Sequence, residues 1–584
     1  MSNLFAMMNT GVSGANAAQV AIDVTGHNIA NIKNENYSRQ RVNVSSVTTS
    51  REMNGAFGRG VKVTEIIRVY DDLVAKTLRT ENSSLSYWQA SQDTLSEIGT
   101  YFNETENGSG LGQAIQNYFD SWQTLGNTPP DDSDQSHINR RDVATQAEQL
   151  ATQIRDDYAM LKELRSKLDV KIEAAVNRIT DLSRSLAELN SRIVATEATG
   201  NNANDLRDTR DQYANEIATL VGANVVEREN GEYAVYVAGS PIVDGPNSYP
   251  MTTVHDKGNS DHLDVVWSSG EYYSDNVTLN DRLVGGALQA YIEMRDEVIP
   301  GYQNQLDEMA ATLIYETNKL HVSGKGLEKF SQLTSTNVVD NPEYNLDSKE
   351  GSLKFPVKEG TFQIKVYDEE GNVAETYDIK VDPSEDNLYG VAEKISLADG
   401  SASGGRIQAT VNNDGTIKIT VTEGYTFSFG EDTSDFLTAT GLNNFFSGTG
   451  AEDIFVEDRI IENPDYISAS ADGEKGEGKV AKAIANLKFA DAAKGKSITI
   501  EEFYGVFAGG IAITQEQTGI FLAGKAMTVQ NFSEKLEQVK GVSMEEEQSN
   551  LAMFQRVFEA NSRYITVIDE MLNLIINNLG LVGR

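Results

Sequence analysis

The chain has 584 residues, 87 acidic and 49 basic, for a net charge of −38. Such a surface repels phosphate backbones and no basic patch interrupts it, so nucleic-acid binding is excluded. No apolar run reaches the roughly 18 residues of a spanning helix, so no membrane insertion is expected. Cysteine is absent, which removes disulfides, thiolate metal sites and thiol nucleophiles. A length of this order predicts about four structural units.

From Met1 to Ile32 the only charged residue is Asp23, and the first basic one is Lys33, so the charged start of a cleaved export signal is missing. The stretch carries a 4-3-4-3 ladder of Leu4, Met8, Gly11, Ala15, Ala18, Ile22, Thr25 and Ile29, which places all eight on one helical stripe. Gly11, Gly14 and Gly26 each cost roughly 0.8–1 kcal/mol relative to alanine inside a helix. This helix therefore needs partners to hold it.

Gly108, Gly110 and Gly112 lack a preceding strand and the GxGxxG spacing, and are expected to break a helix rather than cradle a phosphate. Leu168, Ile172, Ala175, Ile179, Leu182, Leu186, Leu189 and Ile193 then predict a long solvated helix. A second helix is expected from about Asp205 to Leu220, with Asp205, Asp208 and Asp211 capping and solvating it rather than forming a glycosidase pair. Tyr233, Val235 and Val237 alternate after Asn230-Gly231, a hairpin signal. His255 and His262, with Asp256 and Asp261, do not have zinc spacing and read as a polar loop. A further helix begins near Gly286, pauses at Pro300 and resumes with Tyr302, Leu306, Met309, Leu313 and Leu320.

From Gly351 to Gly430 the period changes to two, in Phe362, Ile364 and Val366, then Tyr377, Ile379 and Val381, then Ile407, Ala409 and Val411, then Ile417, Ile419 and Val421. The acidic block 340–480 is expected to be the most solvated part. A helix over about 501–539 follows, with Phe503, Gly510, Ile513, Ile520, Met527 and Leu536 expected to face inward. Ser543 and Glu546 have capping-box spacing. Beyond them Leu551, Phe558, Ile565, Leu572 and Leu579 recur every seven residues, and Phe554, Ile568, Ile575 and Val582 form a companion row interrupted by Asn561.

The matching stripes at the two ends predict terminal helix pairing. The expected fold is multidomain α+β, a discontinuous terminal α-helical coiled coil and helical bundle with an inserted mainly-β outer domain. Its segments are a terminal coiled coil (1–40 and 548–584), an α-helical domain (41–225, 285–337 and 481–547), a small β region (226–284) and an acidic β-rich insert (338–480). No GxSxG or Walker sequence occurs, and no catalytic, cofactor-binding or metal-binding residue is assigned.

Gly26-His27-Asn28-Ile29-Ala30-Asn31, followed by Tyr37-Ser38-Arg39-Gln40, resembles the N-terminal signature of bacterial flagellar axial proteins, roughly NNIANxxTxGYxRQ. His27 replaces the first Asn, Asn34 the Thr and Asn36 the Gly. The Tyr-Ser-Arg-Gln ending resembles the hook–filament junction branch more than hook or rod proteins. Asn204-Asp205-Leu206-Arg207-Asp208-Thr209-Arg210-Asp211 is similar to the family's NDLxDxRD segment. Gly285-Gly286-Ala287-Leu288 with Arg295-Asp296 and Pro300-Gly301-Tyr302 resembles its GGxLxxxxxxRD…LPxY run, and Gly541-Val542-Ser543-Met544-Glu545-Glu546-Glu547 its GVNLDEE motif.

The resemblance implies a non-enzymatic structural protein, a mechanical adaptor joining hook to filament. Its N- and C-terminal helices would pair and line the central channel. It also implies type III export without signal cleavage to an extracellular position on the flagellum. The implied partners are like subunits, the hook protein, hook-associated protein 3 and an export chaperone at the C-terminal region. A sibling axial protein (hook-associated protein 3 or flagellin), an intracellular coiled-coil scaffold and a hydrolase housed in the insert stay open as alternatives. The expected mechanism is coupled folding and assembly, with the terminal helices largely unpaired in the monomer and ordered among neighbouring copies.

Overall fold

The structure, a computed structural model, describes residues 2–52, 55–102, 110–128, 133–268, 277–351, 353–400, 405–471, 478–493 and 495–578. Its helices are α1 (Ser2–Ala30), α2 (Asp72–Phe102), α3 (Leu111–Asn127), α4 (Asp134–Glu197), α5 (Asn204–Leu220), α6 (Gly286–Glu293) and α7 (Ile299–His321). They continue with α8 (Leu388–Ser396), α9 (Phe436–Thr440), α10 (Asp458–Glu462), α11 (Lys479–Asn486), α12 (Ile500–Lys540) and α13 (Met544–Asn578). The chain divides into two compact units, the first of Met1–Thr94, Ser166–Met294 and Gln517–Arg584, the second of Leu95–Arg165 and Arg295–Glu516.

In the first unit the 4-3 rhythm of α4 supplies the core. Ile172, Val176, Ile179 and Leu186 meet Val235, Val237 and Ile242 of an antiparallel sheet and Leu288 of α6. In that sheet Val235 pairs with Val225 on one side and Val243 on the other. Residues 40–68, counted with the helical segment in the sequence, form a hairpin of β1 (Gln40–Glu52) and β2 (Gly55–Arg68). A two-stranded ribbon is marginal alone, and this one rests on α1. Gly60, at φ +104°, comes so close that an added Cβ would lie 2.1 Å from Ser13 Oγ, and the Val61 N–H donates to that oxygen at 3.3 Å.

The second unit contains residues 338–480 together with α3, α7 and α11. The central strand Gly360–Tyr367 is flanked by Val373–Val381 and Thr426–Asp432, with Ile364 opposite Tyr377 and Phe429. Phe362, Ile364 and Val366 are fully buried, as strict alternation on one sheet face requires. Phe445 packs at a tilt against Trp122 of α3 and His321 of α7, with ring centroids 5.1 and 5.4 Å away. Burial pushes the His321 ring down to about 3, and its Nε2 accepts the Ser468 N–H at 2.9 Å.

Two helices depart from expectation. α6 and α7 are joined by a π-helical turn, Met294–Val298, so the helix does not pause at Pro300, which follows closely on that turn. In α12, Phe503 and Leu536 are buried, whereas Ile513, Ile520 and Met527 are 56%, 64% and 67% exposed. In the first unit the inward side of α12 instead carries Thr518, which is buried, and Lys525, whose Nζ lies 2.8 Å from Glu81 of α2. Gly108 lies outside the described residues.

Candidate assembly interface

Helices α1 and α13 pack along each other in this single chain, in contrast to the expectation that they stay apart in the monomer. Small residues make the close approach possible. An added Cβ on Gly11 would lie 2.8 Å from Ile565 Cγ1, and one on Gly14 would lie 2.5 Å from Asn561 Oδ1. Gly11, Ala15, Ala18 and Thr25 are buried, and Leu4, Met8, Ile22 and Ile29 half-buried. On α13, Ile568 and Leu572 are buried, while Leu551, Phe554, Ile565 and Ile575 are half-buried. Phe558 lies at the border of exposure, at 36%. Leu579 and Val582 lie outside the described residues. A groove of about 710 Å³ remains between α1 (Gly14, Ala17, Ala21), the hairpin (Val42, Val44) and Phe554 of α13.

The glycines separate into two kinds. An added Cβ on Gly26 meets nothing within 4 Å. Gly26→Ala is therefore expected to stabilise the pair by roughly 0.8–1 kcal/mol, the helix-propensity gain. Gly14→Leu, which must displace Asn561, is expected to destabilise it by more than that. Thermal unfolding followed by protease cleavage within residues 2–30 checks both signs.

The ends of the two helices are clamped by a buried polar knot. Asn28 is 1% exposed and both ends of its amide are engaged. Its Oδ1 accepts from Tyr37 Oη at 2.7 Å and from the Gln40 N–H at 2.9 Å, and its Nδ2 donates to the Gln40 carbonyl at 2.9 Å and to Glu547 Oε2 at 3.1 Å. Arg39 forks across the start of α13, with Nε 2.8 Å and Nη2 2.7 Å from Glu547 Oε1 and Nη1 2.8 Å from Glu546. Such charge-assisted pairing outweighs a neutral hydrogen bond about twofold. The Arg39 N–H also donates to the Lys540 carbonyl at 2.8 Å. Because Glu546 is held by Arg39, only half of the expected capping box forms, the Glu546 N–H reaching Ser543 Oγ at 3.5 Å. Asn31 closes α1, its Nδ2 donating to the His27 carbonyl at 3.0 Å, while Ala30 is exposed.

The same strand start reaches α5. Asp208 accepts from the Ser38 N–H at 2.8 Å, from Ser38 Oγ at 2.7 Å and from Arg68 Nη1 at 2.9 Å. Asp211 takes Arg68 Nη1 at 2.6 Å and the Tyr233 hydroxyl at 2.5 Å. Gln40 Nε2 donates to Asp205 at 2.7 Å. Asp208 and Asp211 are thus buried ligands of the hairpin, not the solvated helix residues that their spacing implied; an acidic residue can be buried where arginine and hydroxyl donors satisfy it. Burial pushes the Asp208 carboxyl up, against the pull of Ser38 and Arg68. It also works against the Arg68 charge, but Asp211 and Asp208 more than restore it. His262, from the expected polar loop, sits in a strand with Nδ1 2.6 Å from Asp169 of α4.

Three motifs far apart in sequence therefore meet around one cluster: 28–40, 204–211 and 540–547. That polar groups of such separation would meet is not encoded in any period, and only the motifs themselves marked the residues.

The family model for the flagellar hook-associated protein FlgK helical domain matches residues 95–334, that for the flagella basal body rod protein residues 8–37, and that for the flagellar basal body rod FlgEFG protein C-terminal region residues 538–579. The chain is 23% identical over 585 residues to flagellar hook-associated protein 1 of Salmonella typhimurium (98% of this chain, 99% of that one). It is 23% identical over 594 residues to the protein of that name from Bacillus subtilis, covering 100% of both. The solved structure of the flagellar hook junction protein FlgK from Burkholderia pseudomallei superposes with a TM-score of 0.53 at 16% identity, covering 80% of this chain and 100% of that one. Over nearly its whole length the chain is therefore similar to flagellar hook-associated protein 1, and at its two ends to flagellar basal body rod proteins.

Proposed function

We propose that the α1–α13 pair, locked by the knot around Asn28, Arg39 and Glu547, is the element through which this chain polymerises as a structural axial protein joining hook to filament. The single observation that carries the reading is the convergence of the signature segments on one buried cluster that ties the two chain ends together. The assigned role is mechanical, and the chain acts by contact rather than by chemistry. Its partners are further copies of itself and other flagellar proteins; the hook protein and hook-associated protein 3 are the specific neighbours, and an export chaperone covers the C-terminal region beforehand. Its place is the flagellum outside the cell, reached by type III export without signal cleavage.

The interface residues are those of the two facing stripes, with the small N-terminal ladder seated against the larger C-terminal one. Burial of the remaining apolar flanks at about 25 cal/mol per Å² contributes to holding neighbouring copies. Gold labelling of intact flagella tests the reading, with label expected at the distal end of the hook and the chain expected in sheared flagella. Retention of the chain in the cytosol of a flagellated cell would favour the coiled-coil scaffold instead.

A further inference from the structure

Two helix rows in the first unit expose uncharged, largely apolar side chains among the described residues and match each other in form. On α13, Tyr564, Val567, Met571 and Leu574 follow a 3-4-3 spacing and are 37%, 46%, 46% and 64% exposed. They lie one residue before the inward row Ile565, Ile568, Leu572 and Ile575, about 100° around the helix from it; only the edge of the Tyr564 ring also reaches α1, its Cδ1 3.0 Å from where an added Cβ on Gly11 would lie. On α12, Gln517, Ile520, Gly524 and Met527 repeat the 3-4-3 spacing and are all exposed. An added Cβ on Gly524 would meet nothing within 4 Å, so this row has a notch. Neither row contains a charged residue, on a chain of net charge −38.

Aligned in the same direction, the rows interlock by size. Met571 falls opposite the Gly524 notch, Val567 opposite Ile520, Leu574 opposite Met527, and the Tyr564 phenol opposite the Gln517 amide. The 4-3 rhythm continues upstream on α12 through Val506, Gly510 and Ile513 and on α13 through Met553, Val557 and Ala560, of which Val557 also lines the groove beside α1. Two seams of this kind are what knobs-into-holes packing between helices requires. The three α12 residues that have core spacing without being in the core are then accounted for.

We infer that in the assembled state the outer row of α13 in one copy packs on the α12 row of a second copy. This rests on the axial-assembly reading above and adds the two faces that meet. A second copy fits better than an unrelated partner because both seams occur on one chain, with equal spacing and length. Strongly acidic copies also approach each other most readily where neither presents charge. Because the two faces differ, the contact is heterologous. Each copy uses its α13 row on one neighbour and offers its α12 row to another, which yields a ring or a helical array rather than a closed dimer.

The absence of native cysteine makes a direct test possible. Gly524→Cys and Met571→Cys, carried on two differently tagged copies, are coexpressed, and the sheared flagella are mildly oxidised. The expected product is a disulfide-linked pair containing both tags. Leu73→Cys, at an α2 position that is 75% exposed, should give at least tenfold less product with Met571→Cys. Flagella that contain both variants but no 524–571 product, or in which 571–571 products dominate, overturn this contact while leaving axial assembly intact. Absence of the unsubstituted chain from flagella would instead overturn the assembly reading.

Discussion

Replacing Ile568 by aspartate is expected to detach α13 from α1 and abolish incorporation into flagella, with loss of swimming. Ile568 is 1% exposed within the pair. Removing such a side chain alone costs about 2–5 kcal/mol, and an unpaired buried carboxylate adds several more. Leu572→Asp, at a position 7% exposed, should act the same way. Phe558→Asp should weaken the pair less, because that ring is already a third in solvent. Sheared-flagella content and motility measure the effect, and an unchanged melting transition of the second unit separates it from global misfolding. Normal incorporation of the Ile568 variant would remove α13 from the interface.

Glu547→Ala is expected to cost about 3 kcal/mol, near the upper end for leaving buried donors unsatisfied, because Arg39 keeps Glu546. It leaves Arg39 Nε and one amide donor of Asn28 without their acceptor in a site where Glu547 is 1% exposed, while Arg39 Nη1 keeps Glu546. Glu547→Gln keeps the shape and an acceptor but loses the charge, and should cost about 1.5–3 kcal/mol, the worth of a hydrogen bond to a charged group. Limited proteolysis of the monomer is the readout. Cleavage within residues 2–40 and 544–578 should rise in the order wild type, Gln, Ala, with the fragments of the second unit unchanged. Equal resistance of all three would mean that the knot does not hold the helices.

How far each part was legible follows from what a period can encode. The two terminal helices were legible because a 4-3 ladder specifies a stripe; within the stripe from Leu4 to Ile29, Gly11 lies against Ile565 of α13, and Ala15, Ala18 and Thr25 are buried. The strands around Phe362 and Ile379 were legible from strict alternation. In α12, however, Ile513, Ile520 and Met527 share a seven-residue spacing with Ile511, Thr518 and Lys525. Spacing defines a row but not which row meets a neighbour, and Thr518 and Lys525 occupy the inward side. The hairpin 40–68 carries mixed polar and apolar residues, and its support comes from α1 through Gly60 and Ser13, a contact no local window contains. Asp208 and Asp211 were misjudged for the same reason: helical spacing is blind to an arginine at position 68.

The hydrogen bonds that link Asn28 and Arg39 to Glu547 span 519 and 508 residues of chain. Contacts of such separation form late and contribute to slow folding, since the intervening chain must be organised before they can close. The two ends should accordingly be the last part of the first unit to gain protection from amide hydrogen exchange and the first to lose it. A polypeptide that stops short of Glu547 cannot make this closure at all, so the knot couples the order of α1 to synthesis of the chain as far as the start of α13.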